Sequence, residues 1–398
     1  MTPSEELVAR LCRKTFLSLW SYPTPKRVDN GRELCDLLVI SDPYVIIYSV
    51  KEITIKDSGN YEVDVRRWLK RAVDKSCGQI YGAERALQRN VKIVDKHGRE
   101  IINLPKYDKD KIFRIGVAVG RRNRFPLSCG DFGKGFVHIF DEKSLQIIHA
   151  ELDTIADFID YLKRKETLLK SKKQVLLKGE EDLLAVYLHN GRQFPANFDL
   201  MILDGSLWDA FTKKKEFIRR KEEDKISYIW DGIIEEFCHN FREGSLCFNT
   251  YPEGTEKALR VMAKENRFSR RILSSAFLEF IGYYGEPKSR ARIVKAQSGI
   301  VYVFLVSKRD ECDREFRRAE LGLRCFIARG MHREVKIVVG IATEEYKKGA
   351  GHSYDLCYLE KRDWTDEDQK KMLQLQEEFG YFKNPEISKK EFDEFPAK

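Results

Sequence analysis

The sequence predicts a mixed α/β protein, and three patterns carry that prediction. Two β-rich runs, LCDLLVI at 34–40 and YVIIYSV at 44–50, are separated by the turn signal SDP. Apolar residues then recur at three- and four-residue steps over 62–90, which indicates a long helix. Near the C-terminus, strand-like runs at 299–307 and 334–343 flank a helical stretch. This strand–helix–strand order favours a parallel α/β element.

The remaining runs complete the elements and set the expected domain boundaries. A helix over 3–19 begins at the capping residues Thr2, Pro3 and Ser4, and another helix occupies 152–169. We place an N-terminal α/β domain at 1–170, a mainly helical region at 171–287 and a C-terminal α/β domain at 288–398. The C-terminal helix near 308–329 is expected to bury an apolar stripe made of Phe316, Ala319, Leu323 and Ile327.

Composition limits the classes of protein and partner to be considered. The 398 residues carry a net charge of +9, which permits a polyanionic partner without requiring one. Nine scattered cysteines with no CxxC pair argue for a reducing compartment and against disulfide or zinc-ribbon scaffolds. The N-terminus lacks the pattern of a signal peptide, and no run of ~18 apolar residues occurs. We therefore expect a cytoplasmic protein with no membrane partner.

Charged residues occupy fixed places in the two β-rich runs. Asp36 lies near the start of the first run and Lys51 at the end of the second. In an antiparallel pair these positions meet at the same end of the sheet. A carboxylate there can hold a divalent cation, and a lysine can orient or deprotonate an attacking water, as phosphodiester hydrolysis requires. A structural ion pair or ordinary strand-end polarity would explain the same residues.

At these residues the sequence resembles the PD-(D/E)xK, or restriction-endonuclease-like, nuclease superfamily, over roughly its first 100 residues. The resemblance matches Asp36 to the aspartate, Lys51 to the lysine and the helix near 62–90 to the helix that follows. Glu5 or Glu6 would supply the early helix acid. It implies a restriction-endonuclease-like N-terminal domain and a hydrolase, an Mg²⁺- or Mn²⁺-dependent endonuclease, with DNA as the expected substrate.

One position departs from this motif. The residue two before Lys51 should be acidic, and it is Ser49. Glu33 and Glu52 are the nearest acids that could replace it, so the expected metal ligands are Asp36, Glu33, Glu6 and Glu52. The expected catalytic residues are Asp36, Lys51, Glu33 and Gln79. Alternatively the site is degenerate, and the fold serves a non-catalytic nucleic-acid-binding or assembly subunit.

The helix after Lys51 carries further polar candidates. Lys75 and Gln79 are four apart and share one face, and the resemblance implies that such a residue supports the active site or contacts the DNA backbone. Arg66 and Arg67 precede Trp68, and basic residues beside an aromatic suit phosphate contact and base stacking. A solvated helix face is the alternative for all of them.

A second basic cluster lies in the sequence GRRNRFP, directly after a predicted strand. Arg121, Arg122 and Arg124 on one loop are suited to gripping a phosphate backbone without reading its sequence. Together with Arg66, Arg67 and Lys75 they are the expected nucleic-acid-binding residues.

The middle and C-terminal regions would then recognise substrate, sense a signal or mediate assembly. By analogy of architecture, a nuclease with a large companion region suggests an antiviral effector of a bacterial restriction or phage-defence system, working as a homo-oligomer or with a partner protein. A third possibility places a nucleotide site at the strand ends of the C-terminal part, near Ser307 to Asp310 and near Glu344 and Glu345.

Overall fold

A computed structural model describes residues 1–101, 104–120, 129–242, 252–285, 290–311 and 313–395. Within these ranges the chain is mixed α/β with several sheets, which confirms the expected fold class. Its internal contacts divide it into two compact units, Met1–Phe217 and Ile218–Lys398. The finer domain limits expected at 170 and 287 stay predictions. No helix in the described ranges combines the length and apolar character needed to cross a bilayer.

The first unit contains helices on a six-stranded sheet, with two smaller strand pairs. Its helices are α1 (Pro3–Phe16), α2 (Tyr61–Leu69), α3 (Lys75–Gln88), α4 (Glu142–Glu151), α5 (Ile155–Lys170), α6 (Glu180–His189) and α7 (Leu207–Thr212). Its strands are β1 (Ser21–Pro23), β2 (Lys26–Arg27), β3 (Leu37–Ser41), β4 (Tyr44–Glu52), β5 (Ile93–Val94), β6 (Ile112–Val119), β7 (Gly130–Asp131), β8 (Phe136–Asp141), β9 (Gln174–Leu177) and β10 (Leu200–Leu203). Helix α8 (Lys215–Glu223) crosses the boundary between the units.

The six-stranded sheet places the end of β4 beside the start of β3. Its strand order is β1-β3-β4-β6-β8-β7. β3 and β4 form an antiparallel hairpin across the Asp42-Pro43 turn, whose peptide bond is cis, and β4, β6 and β8 run parallel. Because Leu37 pairs with Tyr48, the residue before β3 lies at the same end of the sheet as the last residues of β4. The hairpin expected from the sequence is confirmed.

Helices cover both faces of this sheet. α1 begins with the expected cap, a capping box in which the Thr2 hydroxyl accepts from the Glu5 N–H and the Glu5 carboxylate accepts from the Thr2 N–H. On β4, Tyr48 faces His149 of α4, whereas Ser49 faces α3. Adjacent residues of a strand point to opposite faces, so α4 and α3 lie on opposite sides of the sheet.

The long helix expected over 62–90 forms, with one irregularity. α2 continues into α3 through a π-helical turn at Lys70–Asp74, so the helical path is unbroken from Tyr61 to Gln88. Its apolar side, including Ala72, Val73 and Ile80, is buried in the core on the sheet. α3 therefore lies along β4 and β6 with its side chains set relative to the end of β4 by core packing.

His149 forms a buried polar contact on the α1 side of the sheet. The Thr15 hydroxyl lies 2.7 Å from its Nδ1 and the Tyr48 hydroxyl 3.4 Å from its Nε2. Burial disfavours the charged imidazolium and lowers the pKa of His149 from 6.5 to about 3. The folded protein therefore holds this ring neutral.

We expect His149 to make the first unit acid-sensitive. Below pH 6.5 the unfolded chain protonates His149 and the folded chain does not. The free energy of unfolding therefore falls with decreasing pH, by about 1.4 kcal/mol per pH unit from this residue. The stability advantage of wild type over His149→Gln should shrink as the pH falls from 6.5 to about 5. Melting temperatures of both proteins across this range measure the effect, and a pH-independent difference would contradict it.

One strand pair in the first unit was not predicted from the sequence. β9 and β10 form a two-stranded parallel sheet, with Met201 opposite Val175, in a stretch expected to be mainly helical. Each strand is four residues long, too short to produce a recognisable alternation among the neighbouring helical patterns.

The second unit contains a four-stranded sheet with helices. Its helices are α9 (Tyr228–Arg242), α10 (Pro252–Ala263), α11 (Arg267–Phe280), α12 (Arg314–Met331) and α13 (Asp366–Phe379), and its strands are β11 (Ala291–Lys295), β12 (Val301–Ser307), β13 (Ile337–Glu344) and β14 (Asp355–Glu360). The strand order is β11-β12-β13-β14, and only the pair β12–β13 is parallel. α12 connects these two strands, which confirms the expected parallel element.

The apolar stripe expected on α12 is confirmed at Ile327, which is fully buried, and is wrong at the other positions, since Phe316 and Ala319 are exposed and Leu323 is half-buried. Phe316 is 57% exposed, and the buried apolar face instead contains Leu321, Cys325 and Ala328. Arg317, the residue after Phe316, is buried because its guanidinium pairs with the fully buried Asp355 at 2.5 Å. The buried face of α12 therefore begins at Arg317, which is buried in an ion pair, and not at Phe316.

Candidate active site

Three side chains expected to act together meet at the open end of β4. The Lys51 Nζ lies 2.5 Å from the Gln79 Oε1 and 3.5 Å from the Asp36 Oδ2. The Gln79 Nε2 donates to the Asp36 Oδ1 at 3.0 Å. The β3–β4 hairpin supplies the aspartate and the lysine, and α3 supplies the glutamine. We call these residues, with Glu33, the acid–lysine cluster.

Asp36 is held rigidly in this cluster. It is 6% exposed, and its Oδ2 also accepts from the Val50 backbone N–H at 2.5 Å. A buried carboxylate requires such partners, because desolvating an unpaired charge costs several kcal/mol. Its orientation is therefore determined by the backbone of β4 and by the side chains of Lys51 and Gln79.

Glu33 brings a second carboxyl group to Asp36. Desolvation of its carboxyl, then the charge of Asp36 and a hydrogen bond with it, raise the pKa of Glu33 from 4.5 to about 7. Glu33 as a whole is surface-exposed. Desolvation is the largest cause of this pKa shift, and the nearby Asp36 carboxyl adds to it, since like charges at one site favour a bound proton or cation.

Ser49, which occupies the position where the motif requires an acid, supports Gln79. The serine is fully buried, and its hydroxyl donates to the Gln79 Oε1 at 2.8 Å. The amide oxygen of Gln79 therefore accepts from both Ser49 and Lys51. Helix α3 therefore places the amide of Gln79 beside Ser49, where the motif has an acid, but this amide is neutral.

The structure does not bring the other two expected metal ligands to Asp36. Glu52 follows Lys51 on β4 and so points to the opposite face, where its carboxylate accepts from the Ser4 hydroxyl at 2.8 Å. Glu6 is exposed on α1 and is not among the contacts of Asp36. Of the helix acids, Glu5 is the one whose charge reaches Glu33.

The expected nucleic-acid-binding residues lie in different environments. The side chains of Arg66, Arg67 and Lys75 are exposed. The Arg67 Nη1 lies 3.8 Å from the Oδ1 of the buried Asp64. Trp68 is fully buried, so the expected base stacking on this side chain is wrong: its ring belongs to the core under α3. Arg121, Arg122 and Arg124 lie outside the described residues.

The acid–lysine cluster can supply only part of the ligand set of a magnesium ion. Within the described ranges, no group of three or more His, Cys, Asp or Glu side chains is arranged to hold a metal ion. Magnesium, however, commonly uses one or two carboxylates and completes its shell with water and substrate phosphate. Glu33 and Asp36 supply two carboxyl groups whose mutual repulsion a cation would relieve. The residues present fit this kind of site.

We expect Gln79→Glu to strengthen metal binding, because it adds a third carboxylate beside Asp36 and Glu33. Ligand charge strongly influences divalent-cation affinity, and a gain of about tenfold in Mn²⁺ affinity is expected. Titration of Mn²⁺ by calorimetry measures it. Gln88→Glu, at the exposed end of the same helix, is the matched control. Equal affinities for wild type and Gln79→Glu would contradict the placement of a cation at this position.

The strand ends of the C-terminal sheet form an ion-pair network. The Glu344 carboxylate accepts from Arg317 at 2.8 Å and from the Ser353 backbone N–H at 2.8 Å. Despite partial burial, these hydrogen bonds and charges lower the pKa of Glu344 to about 2. Arg309 donates to the carbonyl oxygens of Glu345 and Gly351. These contacts connect the ends of the strands and the following loop and need no ligand.

Sequence reasoning missed the groove that adjoins the acid–lysine cluster. Arg27, Arg85 and Arg89 line it together with Gly78 and Gly82 of α3. A signal was present in the sequence GQIYGAERALQR, where two glycines and then two arginines repeat at four-residue spacing. Such spacing places each pair on one face of a helix.

Comparisons of the chain with protein-family models, with curated proteins and with solved structures gave no match.

Proposed function

We propose that the chain is a metal-dependent nuclease that hydrolyses phosphodiester bonds in DNA, with its active site at the acid–lysine cluster. The observation that carries the proposal is the convergence of Asp36, Glu33, Lys51 and Gln79 at one end of β4. The order of elements supports a restriction-endonuclease-like domain. Helix α1 is followed by antiparallel strands, then by the α2–α3 helix and by the parallel strand β6.

Glu33 and Asp36 would hold the ion, with Mg²⁺ or Mn²⁺ as the expected metals. When bound, it supplies positive charge at the phosphate and lowers the pKa of a coordinated water. Asp36 is oriented for this role by the Val50 N–H and the Gln79 amide. Val50, Lys51 and Gln79 donate to three of the about four acceptor sites of an ionised carboxylate, which leaves one site for a cation in place of the hydrogen bond with Glu33.

Lys51 donates the hydrogen bonds that position the reacting groups. Its ammonium has three N–H groups, directed to Gln79 at 2.5 Å, to the Val50 carbonyl at 3.2 Å and to Asp36 at 3.5 Å. The contact with Asp36 is the longest, so that N–H can turn to a phosphate oxygen or to the attacking water at the smallest cost. There it stabilises the negative charge that develops in the transition state.

The test is cleavage of supercoiled plasmid by the full-length protein in Mg²⁺ and in EDTA. We expect nicked or linear product in Mg²⁺ only, and loss of about a hundredfold or more in rate for Asp36→Asn. Cleavage in EDTA, or cleavage by Asp36→Asn at the wild-type rate, would overturn the proposal.

A catalytically degenerate nuclease fold that binds nucleic acid or a partner protein is the second candidate. The neutral pair of Ser49 and Gln79, at the place where the motif has an acid, favours it. In that case the protein binds DNA and leaves the plasmid intact in every metal tested. The expected cytoplasmic setting, oligomeric assembly and role in restriction or phage defence stay predictions.

A further inference from the structure

A groove continues the acid–lysine cluster along α3. It has a cavity volume of about 350 Å³ and is lined on one side by Arg27 and Glu33 and on the other by residues of α3. Two members of the cluster, Glu33 and Gln79, form part of its wall. A ligand in this groove, here called the α3 groove, therefore lies next to the candidate active site.

Arginine side chains dominate the charge of the α3 groove. Arg27, Arg85 and Arg89 line it, against one acid, Glu33. Arg27 donates two hydrogen bonds to Asp29, which compensates part of its charge. Arg85 on α3 and Arg89, the C-cap residue of α3, are both exposed. Four residues of helix rise about 6 Å, so the two guanidinium groups lie along one side of the groove. This arrangement suits a polyanion that follows the helix.

Part of the groove wall is bare helix backbone. A Cβ added at Gly78 would meet no other atom within 4 Å, and one added at Gly82 would meet only the Arg85 guanidinium at 3.7 Å. Core packing thus does not require either glycine. Glycine within a helix is unfavourable relative to alanine, so two of them on this wall weaken α3 and open space beside it.

We propose that the α3 groove binds the sugar–phosphate backbone of the DNA strand that extends from the acid–lysine cluster. The inference rests on the proposed function and assigns Arg85 and Arg89 as phosphate-binding residues. From Gln79 to Arg89, the residue that caps α3, the chain rises about 15 Å, which corresponds to roughly four base-pair steps of ~3.4 Å measured along the axis of a DNA duplex. Contacts of this kind position a strand without reading its bases. The bare wall at Gly78 and Gly82 lets the backbone approach the helix closely.

Binding can be measured apart from cleavage in a full-length Lys51→Ala background. The probe is a fluorescein-labelled DNA duplex, and anisotropy gives its affinity at several NaCl concentrations. We expect the double variant Arg85→Gln/Arg89→Gln to bind about tenfold or more weakly and to reduce the salt slope by about 2. The matched control is Arg10→Gln/Arg13→Gln, which removes two exposed arginines from α1 and should leave affinity and slope unchanged.

Steric variants test the groove without changing its charge. Gly78→Leu places a side chain in the groove and should weaken binding, whereas the melting temperature of Gly78→Ala should be unchanged or raised. If Gly78→Leu and the double arginine variant both bind DNA as tightly as the parent protein, the proposal for the α3 groove is wrong. The proposed nuclease function then still holds, provided that the wild type cleaves plasmid. If these variants bind DNA more weakly but the wild type does not cleave plasmid, the result supports DNA binding in the α3 groove and contradicts the proposed nuclease activity. A protein that fails to bind the probe overturns the groove proposal.

Discussion

Replacing Lys51 with alanine is expected to lower the rate of DNA cleavage by about a hundredfold to a thousandfold while the protein stays folded. The ammonium group contacts Gln79 and Asp36, and no other side chain of the acid–lysine cluster carries a positive charge. Without it, the negative charge that develops on the phosphate loses a donor. Asp36 retains its hydrogen bonds with Val50 and Gln79, so the fold of the hairpin should persist.

The measurement is the initial rate of plasmid cleavage in Mg²⁺, together with the melting temperature of each variant. Lys56→Ala, an exposed lysine shortly after β4, is the matched control and should cleave at the wild-type rate. A Lys51→Ala variant that retains at least half of the wild-type rate would remove the lysine from the mechanism. Equal loss in both variants would indicate a general effect of charge.

The second large effect is expected on stability, from a lysine that takes no part in the candidate site. Lys165 of α5 is fully buried, and its ammonium lies 2.6 Å from the carboxylate of Glu180, which is 4% exposed at the start of α6. The Tyr161 hydroxyl donates to the same carboxylate at 2.5 Å. Lys165→Met would leave the Glu180 charge buried without its cation, and we expect a loss of about 3–5 kcal/mol in the free energy of unfolding.

Urea unfolding of the full-length protein measures this loss. Lys170→Met, which removes an exposed partner of Glu166 on the same helix, should change stability by about 0.5 kcal/mol or less. Adding Glu180→Gln to Lys165→Met should recover part of the loss, because the uncompensated charge is then absent. If the double variant is no more stable than Lys165→Met, lost packing of the lysine chain is the cause and the charge argument is wrong.

The arrangement of Asp36 and Lys51 could be predicted because it depends on local sequence. A turn signal between two β-rich runs determines the hairpin, and the hairpin alone brings the two ends together. The same is true of α1, whose capping box lies within four residues. Where neighbours in sequence decide the structure, pattern and turn chemistry were sufficient.

The role of Ser49 could not be predicted, because it depends on how α3 packs against β4. Nothing local indicates that the serine hydroxyl meets the Gln79 amide thirty residues later. The predictions for Trp68 and Phe316 were wrong for a related reason. Burial of the tryptophan and exposure of the phenylalanine follow from the partners that each helix finds in the folded unit, which a single helical pattern does not contain.

The π-helical turn at Lys70–Asp74 sets the rotation of α3 relative to α2, so that both helices can pack their apolar sides in the same core. A turn of this kind accommodates one extra residue, and each residue of an α-helix rotates the chain by about 100°. Removing a single residue from this turn would therefore change the phase between α2 and α3 and rotate Gln79 relative to β4, while all four side chains of the acid–lysine cluster stayed present. The phase of the helix, set by chain length, is thus as much a determinant of the candidate site as the identity of its residues.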